Sequence, residues 1–398
     1  MRTVLRTLIG LLLFIGLLAI LAYFTGNEHL IKGVRYTYLI GRSGPEIDDR
    51  DQFASARIAA SRPVPWTKGS RYGELALDQA QERRLVELHT AGFLVVQDDS
   101  LIFEQQWGGW RTDSVRNSFS VAKSYISALT GIALRDGMIQ SLEQRVGEFL
   151  PEFDNGCHAR ITLWHLLTMS TGLDWSESGR DPFSDAARGY YGSHVRKVSL
   201  EQPCRTEPGL EFDYISGSTQ IMAEVLEAAY GTGLDQLMQE KLWEPLGAEH
   251  DAWWGKDHAE GDFKAFCCLY ATDRDFARLG KLYLDSGRWH GQTIIPLDFW
   301  QASITPAPLS DGGRPNERYG YFWWLAELEG RPIHYARGFH GQYVAVVPDE
   351  RLVMVRTGMK REEVNDEGHP RDVFEWIGIA RELAGNRPGG PHIAADRP

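Results

Sequence analysis

The stretch that most limits what this chain can fold into is Asn117-Ser118-Phe119-Ser120-Val121-Ala122-Lys123-Ser124-Tyr125, running on to Asp136-Gly137. Val121, Ala122, Tyr125, Ile126, Leu129, Ile132, Ala133 and Leu134 would put apolar side chains around nearly the whole circumference of a helix. Such a helix must be enclosed by protein or by lipid. Gly137, after Arg135 and Asp136, fits a left-handed stop. Ser120 and Lys123 lie about one turn apart, on one face. A serine hydroxyl becomes a nucleophile only when a base takes its proton. A lysine serves as that base only if burial or neighbours bring its pKa down from about 10.4. The helix N-terminus adds partial positive charge that favours an oxyanion. A lone Ser-x-x-Lys carries little weight, since a chain of this length offers about one by accident. A chance pair on the surface is the competing reading.

The N-terminus carries a location signal. Arg2 and Arg6 precede an uncharged run from Leu8 to Phe24. As a helix this run spans roughly 26 Å, a little short of a ~30 Å hydrocarbon core, and Thr7 and Thr25 extend it. The exit Leu21-Ala22-Tyr23-Phe24-Thr25 offers no small-x-small cleavage site. The expectation is an uncleaved anchor over residues 1–25, single-pass in an inner membrane, with the rest on the periplasmic side. A cleaved signal peptide is the alternative. Residues 26–74, broken by Gly41, Gly44, Pro45, Pro63, Pro65 and Gly69, read as a tether and approach segment.

Among 398 residues, 43% hydrophobic content and 13 Trp supply an ample core, and a net charge of −12 argues against nucleic acid as a partner. Four cysteines are too few for a disulfide scaffold. Cys267-Cys268 read as core thiols in an apolar run, and a Cys157–Cys204 bridge remains open. No His-Glu-x-x-His or Cys-x-x-Cys marks a metal site, and no Gly-x-Ser-x-Gly marks an α/β-hydrolase elbow. No cofactor is implied.

Phe93–Gln97 and Leu101–Gln105 flank a polar turn and read as a hairpin. Helical patterns follow over 142–150, over Thr162–Leu167 with Thr162 as cap, over Thr219–Ala229, over Leu234–Trp243, and after Thr272. Asp174–Val198 reads as a polar surface loop. Tyr319–Trp324, Ile333–Arg337, Gln342–Val347 and Leu352–Arg356 read as antiparallel strands, before a helix over Asp372–Leu383. The fold class is therefore α+β. One antiparallel sheet joins the N-terminal hairpin to the C-terminal strands, helices flank it, and a large all-helical lobe (about 118–310) is inserted. The catalytic domain is placed at 75–386 and a mobile tail at 387–398.

The residues resemble a known family. Ser120-Val121-Ala122-Lys123 is similar to the first motif of the serine β-lactamase and penicillin-binding-protein superfamily, and Tyr214-Ile215-Ser216 to its second. Arg337-Gly338-Phe339-His340-Gly341-Gln342-Tyr343 resembles the third, in the form found in class C-like hydrolases and 6-aminohexanoate-dimer hydrolases. The resemblance covers roughly residues 75 to 385. It implies a nucleophilic Ser120, with Lys123 and Tyr214 sharing the transferred proton, and an acyl-enzyme formed from a small ester or amide. It also implies an oxyanion hole from the Ser120 N–H and a strand N–H near Phe339 to Gln342. Ser216, Arg337, Gly338, His340, Gly341 and Gln342 would line the substrate site. The third motif departs from the family's Lys-Thr-Gly: Ala336-Arg337-Gly338 holds no lysine, which weakens a β-lactam reading. A non-catalytic, sensor-like relative and a cell-wall D,D-peptidase are the rival functions. Oligomeric state is not legible.

Overall fold

The computed structural model describes residues 1–179 and 181–385; the tail expected at 387–398 lies outside them. Its main sheet has seven strands: β1 (Thr67–Lys68), β2 (Thr90–Gln97), β3 (Ser100–Gln106), β4 (Trp324–Leu328), β5 (Arg331–Gly338), β6 (Gln342–Val347) and β7 (Leu352–Gly358). Their order is β4-β5-β6-β7-β2-β3-β1. The hairpin β2–β3 thus joins the C-terminal meander through an antiparallel pairing of β7 with β2, Leu352 opposite Gln97. That is the sheet expected from the sequence.

Phe93, Leu94, Val95 and Val96 are all fully buried, so β2 is covered on both faces. Helix Asp273–Leu284 packs on β2, β6 and β7. A Cβ at its Gly280 would stand 2.5 Å from Val353 Cγ1 and 2.9 Å from Val344 Cγ1, so only glycine lets helix and sheet approach this closely. The C-terminal helix Arg371–Leu383 packs on β7 and buries Val373, Trp376 and Ile377. Each such apolar side chain contributes roughly 1.5–3 kcal/mol.

The inserted lobe is centred on helix Ala122–Arg135, packed against helix Ser216–Tyr230. The first is buried from Ala122 to Ala133 and ends before Gly137 at φ +73°, as its composition requires. A second sheet orders Ser55–Ile58, Ala252–Gly255, Leu269–Ala271 and Arg116–Asn117 side by side. It ties the N-terminal segment to the residues just before Ser120.

Several expectations are corrected. Residues 26–74 are no free tether: helix Glu28–Tyr36, strand Ser55–Ile58 and β1 all pack on the body. The polar region after Asp174 contains helix Asp185–Tyr191, capped by Ser184 accepting from the Ala187 N–H at 3.1 Å, and helix Val195–Leu200. Within residues 142–150 only Val146–Glu148 is helical, a single 3₁₀ turn with Gly147 at its centre, and Pro151 follows. Tyr319–Trp324 is mostly a turn, with Phe322 at φ +58° and the Gly320 N–H bonded to the Trp323 carbonyl at 3.0 Å. Its aromatic residues imitate a strand because they are buried in a cluster, not because the backbone is extended. Cys267 and Cys268 are joined to one another, and Cys157 to Cys204.

Candidate active site

Ser120 sits on a 3₁₀ turn, Phe119–Val121, that feeds helix Ala122–Arg135. From Arg116 to Ala133 it is the one residue not fully buried. Its neighbour Phe119 has φ +45°, a backbone state that a bulky residue holds only when its surroundings enforce it. The enforcement is visible. Asn117 Oδ1 accepts from the Phe119 N–H at 2.9 Å, the Ser118 N–H donates to the Leu269 carbonyl at 2.9 Å, and the Asn117 N–H donates to the Ile47 carbonyl at 2.8 Å.

Behind this turn lies a buried polar cluster. Asp49 accepts from Tyr270 Oη at 2.8 Å, from Asn117 Nδ2 at 3.2 Å, and from Tyr190 Oη. Burial pushes the Asp49 carboxyl up. Nearby Lys264 lies 3.7 Å over the Phe53 ring and is pushed down by burial to about 7. Asp49 belongs to the segment expected as a tether, so sequence spacing gave no sign of it.

Lys123 is 1% exposed, and its Nζ lies 3.0 Å from Ser120 Oγ, 3.0 Å from Ser216 Oγ and 2.9 Å from the Phe266 carbonyl. Burial lowers its pKa to about 8, while the charge of Glu177 acts the other way. Glu177 was not singled out in the sequence. Its carboxylate accepts from Ser216 Oγ at 2.6 Å, from the Ser216 N–H at 2.7 Å, and from Trp175 Nε1 at 2.7 Å. Hydrogen-bond accounting then sets the direction of the amine. Ser216 spends its single hydroxyl proton on Glu177, so it can only accept from Lys123. A neutral Lys123 has two N–H bonds, and Ser216 Oγ and the Phe266 carbonyl take both. Its lone pair is left for the hydroxyl of Ser120.

Tyr214 joins the same group. Its ring centroid is 5.2 Å from Lys123 Nζ, 5.4 Å from the Trp324 ring and 5.8 Å from the Tyr319 ring. Burial first, then the Glu177 charge, raise its pKa well above the usual phenol value, against interactions with Ser120 and Arg337. Tyr214 is therefore a phenol at neutral pH. The pair Ser120 and Lys123 and the pair Tyr214 and Ser216, distant from one another in sequence, meet at one place.

The third motif divides. A Cβ on Gly338 would stand 2.3 Å from the Ser118 carbonyl oxygen, so glycine lets the end of β5 close against the nucleophile turn. Arg337 stacks its guanidinium carbon 3.5 Å from the Trp324 ring centroid and donates to the Gly368 carbonyl at 2.9 Å. Trp324 also carries Tyr214, so Arg337 reaches the site through that indole. The side chain of Gln342 is not available to a ligand. It donates to the carbonyls of Phe339 and Gly358, each at 2.7 Å, and accepts from the Gly358 N–H at 2.9 Å. His340 is tied to the Pro45 carbonyl at 3.0 Å, and burial lowers its pKa, so it supplies no positive charge. Gly341, at φ +81°, is held by its carbonyl, which accepts from Arg356 Nη1 at 2.9 Å, as does the His340 carbonyl. Arg356, fully buried, thus fixes the turn from behind.

The β-lactamase family model matches residues 79–373. The 6-aminohexanoate-dimer hydrolase of Paenarthrobacter ureafaciens is 27% identical over 293 residues, covering 69% of this chain and 74% of its own. A Bacillus anthracis structure, provisionally named a 6-aminohexanoate-dimer hydrolase, superposes with a TM-score of 0.72 at 20% identity, covering 90% of this chain and 95% of that one. A family VIII carboxylesterase superposes with a TM-score of 0.61 at 18% identity, over 80% of this chain and 98% of that one.

Proposed function

The chain belongs to the β-lactamase family and is a serine hydrolase; from that premise we propose that it opens a small ester or amide through an acyl-enzyme on Ser120. Lys123 takes the Ser120 proton as Oγ bonds to the substrate carbonyl carbon. The resulting oxyanion is held by the Ser120 N–H and by the N–H at the end of β5, near Phe339. Tyr214 gives its proton to the leaving oxygen or nitrogen as the acyl bond breaks, and the proton on Lys123 replaces it. Water then attacks the acyl carbon with the same groups working in reverse.

The single observation that carries this reading is the position of Lys123 Nζ, 3.0 Å from Ser120 Oγ, with Ser216 Oγ and the Phe266 carbonyl placed to take both hydrogens of the neutral amine. The names of similar proteins, a carboxylesterase and hydrolases of a 6-aminohexanoate dimer, favour small acyl substrates of both kinds. Glu177 is a positioning residue that acts through Ser216. We place the catalytic domain at 75–386, and assign residues 1–25 as a membrane anchor, since Arg2–Phe24 is one helix of 23 residues, long and apolar enough to span. The domain would then face the periplasm.

A fluorophosphonate probe tests the mechanism. The protein should be labelled at one site, and Ser120→Ala should abolish labelling. Wild-type labelling of Ser120→Ala would remove Ser120 from the chemistry. A stable adduct without turnover of p-nitrophenyl esters or short amides would instead favour the sensor-like reading.

A further inference from the structure

The helix that follows the anchor segment packs on a loop that also approaches the rim of the Ser120 turn. Helix Arg2–Phe24 exposes nearly its whole surface and buries none of its residues in protein. Three residues later helix Glu28–Tyr36 begins. The linker is closed by bonds from the Asn27 N–H to the Ala22 carbonyl at 2.7 Å and from the Gly26 N–H to the Tyr23 carbonyl at 3.2 Å. The second helix therefore starts at the membrane surface wherever the first one spans it. Three residues reach at most about 11 Å.

Helix Glu28–Tyr36 has two faces. One packs on the protein: His29 bonds the Pro182 carbonyl at 2.9 Å, Lys32 bonds Ser193, and Gly33 lies against the Tyr191 ring. The other carries Ile31 and Val34, both exposed; Tyr38, Leu39 and Ile40, in the 3₁₀ turn that follows, are exposed as well. Arg35 adds positive charge on that side. An apolar face with basic residues, joined to a spanning segment, is the chemistry of a helix lying in the headgroup layer.

The inner face leads to the site. Pro182 is followed by Phe183, 56% exposed. In the same loop, the Cβ position of Gly179 is 3.5 Å from the Phe339 ring. Phe339, 42% exposed, packs edge-on against Phe119 at 5.6 Å, beside Ser120. The Pro45 carbonyl, from the same N-terminal segment, holds His340. Exposed apolar side chains thus stand on the membrane-proximal helix, at Ile31 and Val34, and at the rim of the cleft beside Ser120, at Phe339.

We propose that the cleft opens onto the bilayer surface, and that the enzyme draws its substrates from the lipid phase: amphiphilic esters or amides with a long apolar acyl chain. This rests on the acyl-enzyme reading above. Phe183 and Phe339 receive the chain as it leaves the bilayer, while the carbonyl reaches Ser120.

The full-length protein in phosphatidylcholine vesicles with a minor share of phosphatidylglycerol provides the test. Ile31→Gln, Val34→Gln and Tyr38→Gln are combined, since these residues lie away from the chemistry and leave the anchor intact. Turnover of membrane-partitioned p-nitrophenyl palmitate should fall at least about fivefold, the loss expected when an interfacial apolar face is removed. Turnover of water-soluble p-nitrophenyl acetate and flotation with the vesicles should not change. Parental rates on both esters in the triple variant would overturn the proposal. A polarity-sensitive fluorophore on Phe183→Cys reads placement without turnover. A blue shift on adding vesicles supports the proposal, and a water-like emission refutes it. A blue shift without any acetate turnover would refute the hydrolase reading and leave the placement standing.

Discussion

At the scale of single residues, Lys123 depends on two groups that restrain it from opposite sides. Burial lowers its pKa to about 8, and Glu177 keeps it from falling further. Lys123 accepts a proton only when neutral, so acyl transfer should rise as pH climbs through about 8 and be lost below it. Glu177→Gln removes a negative charge that holds the amine's proton. The rising limb of kcat/KM against pH should therefore move to lower pH, and the plateau should fall by roughly 10–100-fold as Ser216 loses its ionised partner. A purely structural Glu177 would lower the plateau without moving the limb. The serine and lysine were legible because one helical turn separates them. Tyr214 was legible only through its resemblance to a family motif. Glu177 was not, because its part is set by three hydrogen bonds across a loop, and no spacing rule encodes such contacts. His340 and Gln342 were read as ligands for the converse reason. A motif marks positions that matter, and a side chain that holds the turn marks them as strongly as one that meets substrate.

At the scale of elements, helix Ser216–Tyr230 carries Ser216 at its first turn and an acidic pair further on. Burial raises both Glu224 and Glu227 to about 7, and each partner or nearby carboxylate adds to the rise. Below about pH 4.5 these groups are protonated whether the chain is folded or not. Between there and pH 7 the unfolded chain gives up its protons and the native one retains them. Stability therefore declines with rising pH across this window. Glu227→Gln keeps an oxygen to accept from the Leu234 N–H, now at 2.7 Å, and removes the buried charge. Its thermal midpoint should exceed the parent's at pH 8 and match it at pH 4.5, with a ceiling of about 3 kcal/mol. Melting curves at the two pH values decide this. Helices with strong caps or all-round apolar faces were legible, as Thr162 and Thr272 show. Elements whose identity depends on burial were not. Tyr319–Trp324 has strand composition and turn geometry, and the short helices after Asp174 lie in a polar stretch whose periodicity is weak.

At the scale of the whole molecule, the N-terminal segment divides into two parts with different roles. Residues 1–24 bury nothing against the body, and their deletion should free the protein from membranes while leaving its melting point within a few degrees. Residues 45–58 supply Pro45, Ile47, Asp49 and a strand of the second sheet. Deleting residues 1–53 takes away the carboxylate behind Asn117, and with it the support for the strained Phe119. It should cost at least about 3 kcal/mol, the scale for breaking a buried charged network, and abolish probe labelling of Ser120. Calorimetry and labelling of the two deletions, side by side, check both statements. The junction of hairpin and meander was legible because their strands alternate with clear turns, whereas the strand placed at Tyr319–Trp324 lies at Trp324–Leu328. The role of the approach segment was hidden, since Pro and Gly mark irregular backbone but do not say whether it is packed.

The order of the main sheet has a consequence for how the protein is made. Strand β2 lies between β3 and β7, and its partner Leu352 is synthesised long after Gln97. Strand Ser55–Ile58 likewise waits for Ala252–Gly255. No early portion of the nascent polypeptide can close either sheet, so premature folding is delayed by connectivity alone. The main sheet can therefore form only once nearly the whole chain is available. The same delay leaves the apolar strands of the hairpin unpaired with β7 in the interval.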